Sequence, residues 1–350
     1  MKPEIYYGIP ARNEERNIAN CLRALDRQNI HADVQTIIAV NGSTDKTYSR
    51  AKECIKEYPD LNIKVIESSP GKSAAQNAIA SCAKHKDVPI TFFDADVVPE
   101  RQCVKIMLKE LNRIDKLVAV GARPVPIATD KLSSFRKMLF NVLNVRALNY
   151  EAEISTNDVS AYKWYVDKYP QRNVSKEFEK RAKIFFHGRA FMLKSPDYLV
   201  LPNNKNLADD TYLPNYIHTF FGPGTIRIRY DALVYYKPYI SLREHFNTYW
   251  RVYSDLKNID TNGAFEHSRK MERIKWDWRY ILSRGAGTSV NFLLYYMILK
   301  SEHFAYGILP KKTLSEIWKL EKSRVATNYR TYNAAKYNVP EKSAFTKVIK

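Results

Sequence analysis

The chain has 350 residues, of which 45% are hydrophobic, enough for one large or two ordinary domains with a real core and too much for a disordered or fibrous protein. Cys21, Cys54, Cys82 and Cys103 stand far apart with no C-x-x-C pair, which excludes a zinc or disulfide framework and marks reduced, mostly core thiols. The formal net charge of +19 favours anionic partners such as nucleotides, nucleic acid or acidic lipid headgroups, and from Arg269 onward 17 Lys/Arg stand against 6 Asp/Glu.

The chain enters an apolar, β-prone segment at Ile5–Ile9 almost at once, with no basic and apolar leader before it, so the expected compartment is the cytosol. Glu14–Asn29 carries Ile18, Cys21, Leu22 and Leu25 at helical spacing. Val34–Val40 is a continuous apolar strand, Ser43-Thr44-Asp45 offers capping oxygens, and Thr47–Tyr58 is expected as a helix ending before Pro59. Leu61–Glu67 reads as a strand, Lys72–Lys86 as a helix, Val88–Asp94 as a strand, Arg101–Arg113 as a helix and Leu117–Gly121 as a strand. Strands and helices alternating at this spacing predict an α/β fold, a mostly parallel sheet flanked by helices. In such a sheet ligands bind beyond the carboxyl ends of the strands, which places Asn13-Glu14-Glu15, Asn41-Gly42-Ser43 and Asp94-Ala95-Asp96 on one rim.

Residues 1–121 are thus expected as a ligand-binding half and 122–183 as an insertion or lid. That insertion opens with a helix over Ser133–Tyr150 and holds Tyr150, Tyr162, Trp164, Tyr165 and Tyr169. Residues 184–260 return to the same domain. They comprise a strand over Ile184–Lys194 interrupted by a Gly188-Arg189 turn, a helix after Asp209-Asp210, and strands Thr225–Tyr230 and Ala232–Tyr236 about a turn or bulge at Asp231. A helix over Leu242–Leu256 closes this half. Residues 261–350 form a basic, aromatic, mainly helical extension. Its most apolar stretch, Ala286–Leu299, is shorter than the roughly 20 residues a bilayer span needs, and reads as a buried helix or one lying at a membrane interface.

Two acidic pairs carry the chemistry. On a strand, Asp94 and Asp96 share a face, and two carboxylates at the exit of a buried strand make a seat for a hard cation such as Mg²⁺ or Mn²⁺. A frequent alternative for such a pair is a solvated acidic turn. A departing diphosphate needs a cation, and an attacking hydroxyl needs a base on the other side of the reacting carbon. Asp209 and Asp210 offer that base, since neighbouring carboxylates raise each other's pKa; they also suit a helix N-terminus. Lys72 and Arg251 are candidate cations for the diphosphate, and each alone equally suits a surface.

Taken together these segments resemble the family-2 glycosyltransferases of the GT-A fold, which invert the anomeric centre of a nucleotide-diphosphate sugar. The resemblance runs from about Glu4 to Leu256. It rests on Ile9-Pro10-Ala11-Arg12-Asn13-Glu14-Glu15, Asn41-Gly42-Ser43-Thr44-Asp45, Gly71-Lys72-Ser73-Ala74-Ala75-Gln76-Asn77, Asp94-Ala95-Asp96, Gly188-Arg189-Ala190-Phe191-Met192-Leu193-Lys194 and Ala208-Asp209-Asp210-Thr211-Tyr212-Leu213. It implies a Rossmann-like mixed sheet, with Pro10, Asn13 and Glu14 holding the base and ribose and Asn41 at a position where the family usually has aspartate. It further implies Lys72 beside the nucleotide, Asp94 and Asp96 on the metal and diphosphate, Asp210 as base supported by Asp209, and Arg251 on the diphosphate from a loose counterpart of a later family motif. The implied cofactor is Mn²⁺ or Mg²⁺ and the default donor a UDP-sugar. The favoured acceptor is a glycan or lipid-linked molecule at an anionic membrane surface, with nucleic acid as the alternative acceptor and a non-catalytic nucleotide-sugar-binding relative as the alternative function. A nucleotidyltransferase is disfavoured because Pro10-Ala11-Arg12-Asn13 is no glycine-rich phosphate loop.

Overall fold

A computed structural model describes residues 2–127, 133–145, 186–202, 208–222, 224–239, 241–257, 282 and 285–308. The first half alternates as its apolar periods dictate: β1 (Ile5–Ala11), α1 (Ile18–Asp26), β2 (Val34–Val40), α2 (Thr47–Glu57), β3 (Ile63–Glu67), α3 (Lys72–Cys82) and β4 (Ile90–Phe93). These strands pair in parallel, β1 lying between β2 and β4 with Tyr7 opposite Thr36 and Thr91. Their carboxyl ends therefore open on one side, where the sequence places its polar loops. The chain continues through β5 (Val97–Pro99), α4 (Cys103–Arg113), β6 (Ala119–Pro126), α5 (Ser134–Leu143), β7 (Ala190–Leu193), α6 (Asp209–Phe221), β8 (Ile226–Tyr236), α7 (Leu242–Lys257) and α8 (Ala286–Ile308). The sheet order is β3-β2-β1-β4-β7-β6-β8-β5, with β7 antiparallel to β4 and β6, and β5 antiparallel to β8. This is the mixed, mostly parallel sheet flanked by helices of the GT-A fold.

Both faces of the sheet are covered. Tyr6 and Tyr7, adjacent in β1, are each fully buried on opposite faces, as the period of two requires. Tyr7, Ile9, Ile38 and Phe93 pack with Leu22, Cys54 and Met107 from α1, α2 and α4; Tyr6, Ile37 and Phe92 pack with Ile79 and Leu213 from α3 and α6. Burying side chains such as Ile9 and Phe93 contributes on the order of 2 kcal/mol each. Val142 and Val145 meet Phe292 and Tyr295 in a small third cluster that joins α5 to α8.

Several boundaries differ from the sequence reading for local reasons. Asp94-Ala95-Asp96 is a turn beyond the end of β4, not a strand, so alternation does not govern where its carboxylates point. Val97–Pro99, beyond the strand expected to end at Asp94, is an edge strand on β8, where the missing N–H of Pro99 costs no ladder bond. β6 runs past Gly121 to Pro126 because beyond Gly121 it pairs with β8 alone, which tolerates Pro124 and Pro126. The two strands expected about Asp231 are one continuous strand with a register shift opposite Ala122 and Arg123, so the bulge stands and the turn does not. α1 starts at Ile18, since the residues before it are held by the neighbouring loop. Helix α8 extends to Ile308. The aromatic residues expected in the insertion, from Tyr150 to Tyr169, lie outside the described residues.

Candidate active site

The loop after β1 and the loop after β2 are laced together. Asn13 adopts a left-handed backbone, φ 56°, which asparagine tolerates better than most side chains. Its N–H donates to Ser43 Oγ at 3.1 Å, and its Oδ1 accepts from the Thr44 N–H at 2.8 Å. Glu14 N–H donates to Thr47 Oγ1 at 2.7 Å, and Glu14 Oε2 accepts from Asn17 Nδ2 at 2.5 Å. Pro10 is buried in β1 opposite Ala39. The side chains of Asn13 and Glu14 thus have structural duties in fixing this rim. Asn41 is different: it is 4% exposed, its N–H is held by Ala11 O at 3.0 Å, and its Oδ1 has no hydrogen-bond partner among the described residues. A buried acceptor left unpaired costs about 1–3 kcal/mol, a cost relieved when a ligand donates to it.

The acidic turn sits above Cys21, whose thiol donates to Asp94 O at 3.7 Å. Burial, then the charges of Asp96, Asp94 and Glu14, push that thiol far up, so it stays protonated. One buried sulfur therefore reports that Glu14, Asp94 and Asp96 converge on the same rim. Asp96 is 8% exposed and Asp94 partly so.

The second acidic pair comes to meet the first. Ala208 is the N-cap of α6, so Asp209 and Asp210 occupy its first turn and not the cap itself. Lys72 opens α3 directly after Gly71, whose φ of 130° an L side chain rarely adopts. From there Lys72 Nζ reaches Asp94 Oδ1 at 2.8 Å, Asp209 Oδ2 at 3.1 Å and Gly188 O at 3.2 Å. Burial works against the Lys72 charge, but Asp209, Asp94 and Asp210 outweigh it, so its pKa rises and it remains an ammonium. Gln76, one turn further along α3, donates to Asp209 Oδ2 at 2.9 Å. Asp210 is pushed up to about 6, first by burial and then by the Asp209 charge, with Lys72 and a backbone hydrogen bond from Gly188 pulling it down. Space at Gly188 is tight: a Cβ there would lie 3.0 Å from Asp210 Cβ and 3.3 Å from Lys72 Nζ, so either side chain would have to give by a few tenths of an ångström.

Arg189 closes the far side. Its carbonyl accepts the Asp94 N–H at 3.0 Å, and its guanidinium lies 3.8 Å above the Tyr236 ring. Burial opposes its charge, but Tyr236, Tyr239, Asp96 and Asp94 hold it protonated.

The structure thus brings Lys72, Asp94, Asp209 and Asp210 into one cluster, with Asp96, Glu14 and Asn41 on the same rim. Arg251 lies on α7, and its side chain is outside the described residues. Sequence reasoning assigned no role to Gln76, Gly188 or Arg189, although each lies inside a segment that carried the resemblance. A cavity of about 480 Å³ lies at the opposite, amino ends of β1–β3, lined by Lys2, Tyr6, Lys64 and His85, and shares no residue with this cluster.

The acidic turn fits a divalent cation by its donor set. Mg²⁺ and Mn²⁺ take hard oxygens and often bind through one or two carboxylates plus substrate phosphates. Asp94 and Asp96 supply that share. Among the described residues no group of three or more His, Cys, Asp or Glu converges into a closed cage, so such an ion would complete its shell from diphosphate and water.

The acidic groups of this cluster thus sit at the switch point of a GT-A sheet. The profile of Glycosyl transferase family 2 matches residues 7–169, just under half of the chain, and over that region the chain is similar to this family. Glycosyltransferase AglE of Haloferax volcanii is 30% identical over 101 residues, 29% of this chain and 33% of that protein. The 4,4'-diaponeurosporenoate glycosyltransferase of Staphylococcus aureus is 27% identical over 148 residues, 40% of this chain and 36% of that protein. The matched stretches therefore span about a third of the length of these curated relatives. Among solved structures, mannosyltransferase PcManGT from Pyrobaculum calidifontis, in complex with GDP-Man and Mn²⁺, has the same fold, with a TM-score of 0.52 at 16% identity over 91% of this chain and 79% of that one.

Proposed function

We propose that the protein is an inverting glycosyltransferase that moves a sugar from a nucleotide-diphosphate donor, a UDP-sugar by default, to an acceptor hydroxyl. The observation that carries this reading is the half-buried Asp210, raised to about 6 and set beside Lys72, Asp209 and the acidic turn. A carboxylate with that pKa is ionised at neutral pH and still basic enough to accept a proton.

In this reading the base and ribose lie against the rim formed by Pro10, Asn13, Glu14 and Asn41, with Asn41 Oδ1 accepting from the base. Asp210 takes the proton of the acceptor hydroxyl while that oxygen attacks the anomeric carbon. The new carbon–oxygen bond forms as the bond to the diphosphate oxygen breaks, and the nucleoside diphosphate leaves with the electron pair. Lys72 stands where it can steady the leaving diphosphate, and Arg251 is proposed for the same task. Asp94 and Asp96 would hold a Mn²⁺ or Mg²⁺ ion, which supplies charge neutralisation to the diphosphate when bound. Asp209 orients Lys72 through the 3.1 Å ion pair. The proposed acceptor is a glycan or lipid-linked hydroxyl presented at a membrane surface, consistent with the basic carboxyl-terminal third.

Asp210→Asn keeps the volume and removes the base. It is expected to lower transfer by about a thousandfold or more while leaving donor binding within severalfold of wild type. Transfer and donor affinity are measured with UDP-sugars and GDP-sugars in parallel. Near-wild-type turnover by the variant would falsify the assignment of the base.

A further inference from the structure

We propose that the outer face of α8 is a docking surface for an anionic lipid bilayer, on which the helix lies flat. Phe292 and Tyr295 bury the inner face of α8 against Val142 and Val145, and Glu302 is buried beside His245 of α7. The outer face ought then to be polar, as on a helix that ends at water. It is not. Val290, Leu293, Leu294, Met297, Phe304 and Ile308 are 55%, 53%, 36%, 58%, 69% and 66% exposed. Their spacing keeps them in one sector about 100° wide and about 27 Å long at a rise of 1.5 Å per residue. Ser301 is the one polar side chain in that sector. Soluble monomers rarely expose an apolar stripe of this kind without a use for it.

Charge selects the occupant. Along α8 the charged groups Lys and Glu number one each: Lys300 is exposed at the margin of the stripe, and Glu302 is buried. On α5, which packs against α8, exposed Phe135 and Met138 flank exposed Arg136 and Lys137. The sequence after Ile308 adds ten Lys/Arg against three Asp/Glu. Apolar side chains bordered by cations match an anionic headgroup layer over an acyl core. A second copy of the chain would bring the same cations face to face. No described helix is long and apolar enough to cross a membrane, which leaves the surface orientation for α8.

The surface is also joined to the cluster by a chain of contacts. Arg189, bonded to the acidic turn, rests on Tyr236; Tyr239 exchanges backbone hydrogen bonds with the Asn144 side chain at 2.7 and 3.0 Å; the Tyr239 ring meets His245 edge-on; and His245 Nδ1 lies 2.8 Å from Glu302 Oε1 of α8. Docking through α8 would hold the cluster near the membrane at a fixed distance. This inference rests on the proposal of a membrane-presented acceptor, so binding and chemistry are read separately.

The test is sedimentation of the full chain with vesicles of equal parts phosphatidylglycerol and phosphatidylcholine, and with phosphatidylcholine alone. Wild type is expected to sediment with the first and not the second. The triple variant Leu293→Gln, Met297→Gln, Phe304→Gln, which leaves charge unchanged, is expected to bind at least about tenfold more weakly with an unchanged Tm, and Ser301→Leu severalfold more tightly. The proposal is overturned if wild type ignores anionic vesicles or if the stripe variants bind as wild type does. It is equally overturned if the triple variant loses several degrees of Tm with binding intact, which puts another part of the chain over the stripe, or if vesicle-free wild type sediments as a dimer that the variant dissolves. Nucleotide-sugar hydrolysis without vesicles is measured on the same samples. Hydrolysis without vesicle binding removes the docking proposal alone, and vesicle binding without hydrolysis removes the transferase reading alone.

Discussion

At Lys72 one ammonium contacts Asp94 and Asp209 and lowers the pKa of Asp210, opposing the burial and the Asp209 charge that raise it. Asp210 must be ionised to accept a proton, and with its pKa at about 6 transfer is expected to fall as pH drops through that value. Lys72→Met removes a positive charge that favours the carboxylate. The acid limb of kcat/KM should therefore move to higher pH, by on the order of one unit, in addition to any loss of rate. A limb that stays in place would detach Lys72 from the base. Asn41 and Gln76 illustrate what sequence reading catches and misses at this scale. Asn41 stands at a rim position that the strand pattern marks, whereas Gln76 reads as an ordinary helix residue because its bond to Asp209 joins parts of the chain 133 positions apart.

At the level of elements, the short turn between the insertion and β7 governs the cluster. Gly188 and Arg189 fall between Phe186, buried under the sheet, and Ala190, the first residue of β7, so this turn has little room to shift. Gly188→Ala would press a Cβ against Asp210 and Lys72. The expected result is a tenfold to hundredfold fall in kcat/KM, on the order of what a small misplacement of a catalytic group costs, with Tm nearly unchanged. A large fall in Tm with normal kinetics of the folded fraction would assign the glycine to folding instead. The alternating first half was legible because each strand is a continuous apolar run and each helix has its own apolar stripe. The acidic turn was legible as a motif but not as a geometry. Strand alternation gave Asp94 and Asp96 a common face, yet the chain leaves β4 at Phe93, and what orders the turn is its bonding to Arg189 and Cys21. β5 was missed because three residues ending in proline carry no periodic signal, and only pairing with β8 makes them a strand.

For the whole molecule, the raised Asp210 pKa links the site to stability. Its folded value of about 6 exceeds the ordinary 3.8, so the folded state holds the proton more tightly than the unfolded one. That contribution is present below about pH 4 and is lost as pH rises through 6, beyond which the ionised, half-buried carboxylate costs stability. Asp210→Asn has no such cost. Its Tm should exceed that of wild type by a few degrees at pH 8, and the difference should shrink towards pH 4. A variant equally destabilised at both pH values would show that Asp210 serves packing rather than carrying a pH-dependent strain.

Lys72 also bears on the order in which ligands arrive. Its ammonium already neutralises one carboxylate oxygen of Asp94, so in the free protein it opposes a cation at the same carboxylate. The donor-free chain should therefore be a weak chelator, and metal and nucleotide should promote each other's binding because the diphosphate gives Lys72 a new counter-ion. Calorimetric titration of Mn²⁺ without nucleotide should give a weak isotherm for wild type and a tighter one for Lys72→Met.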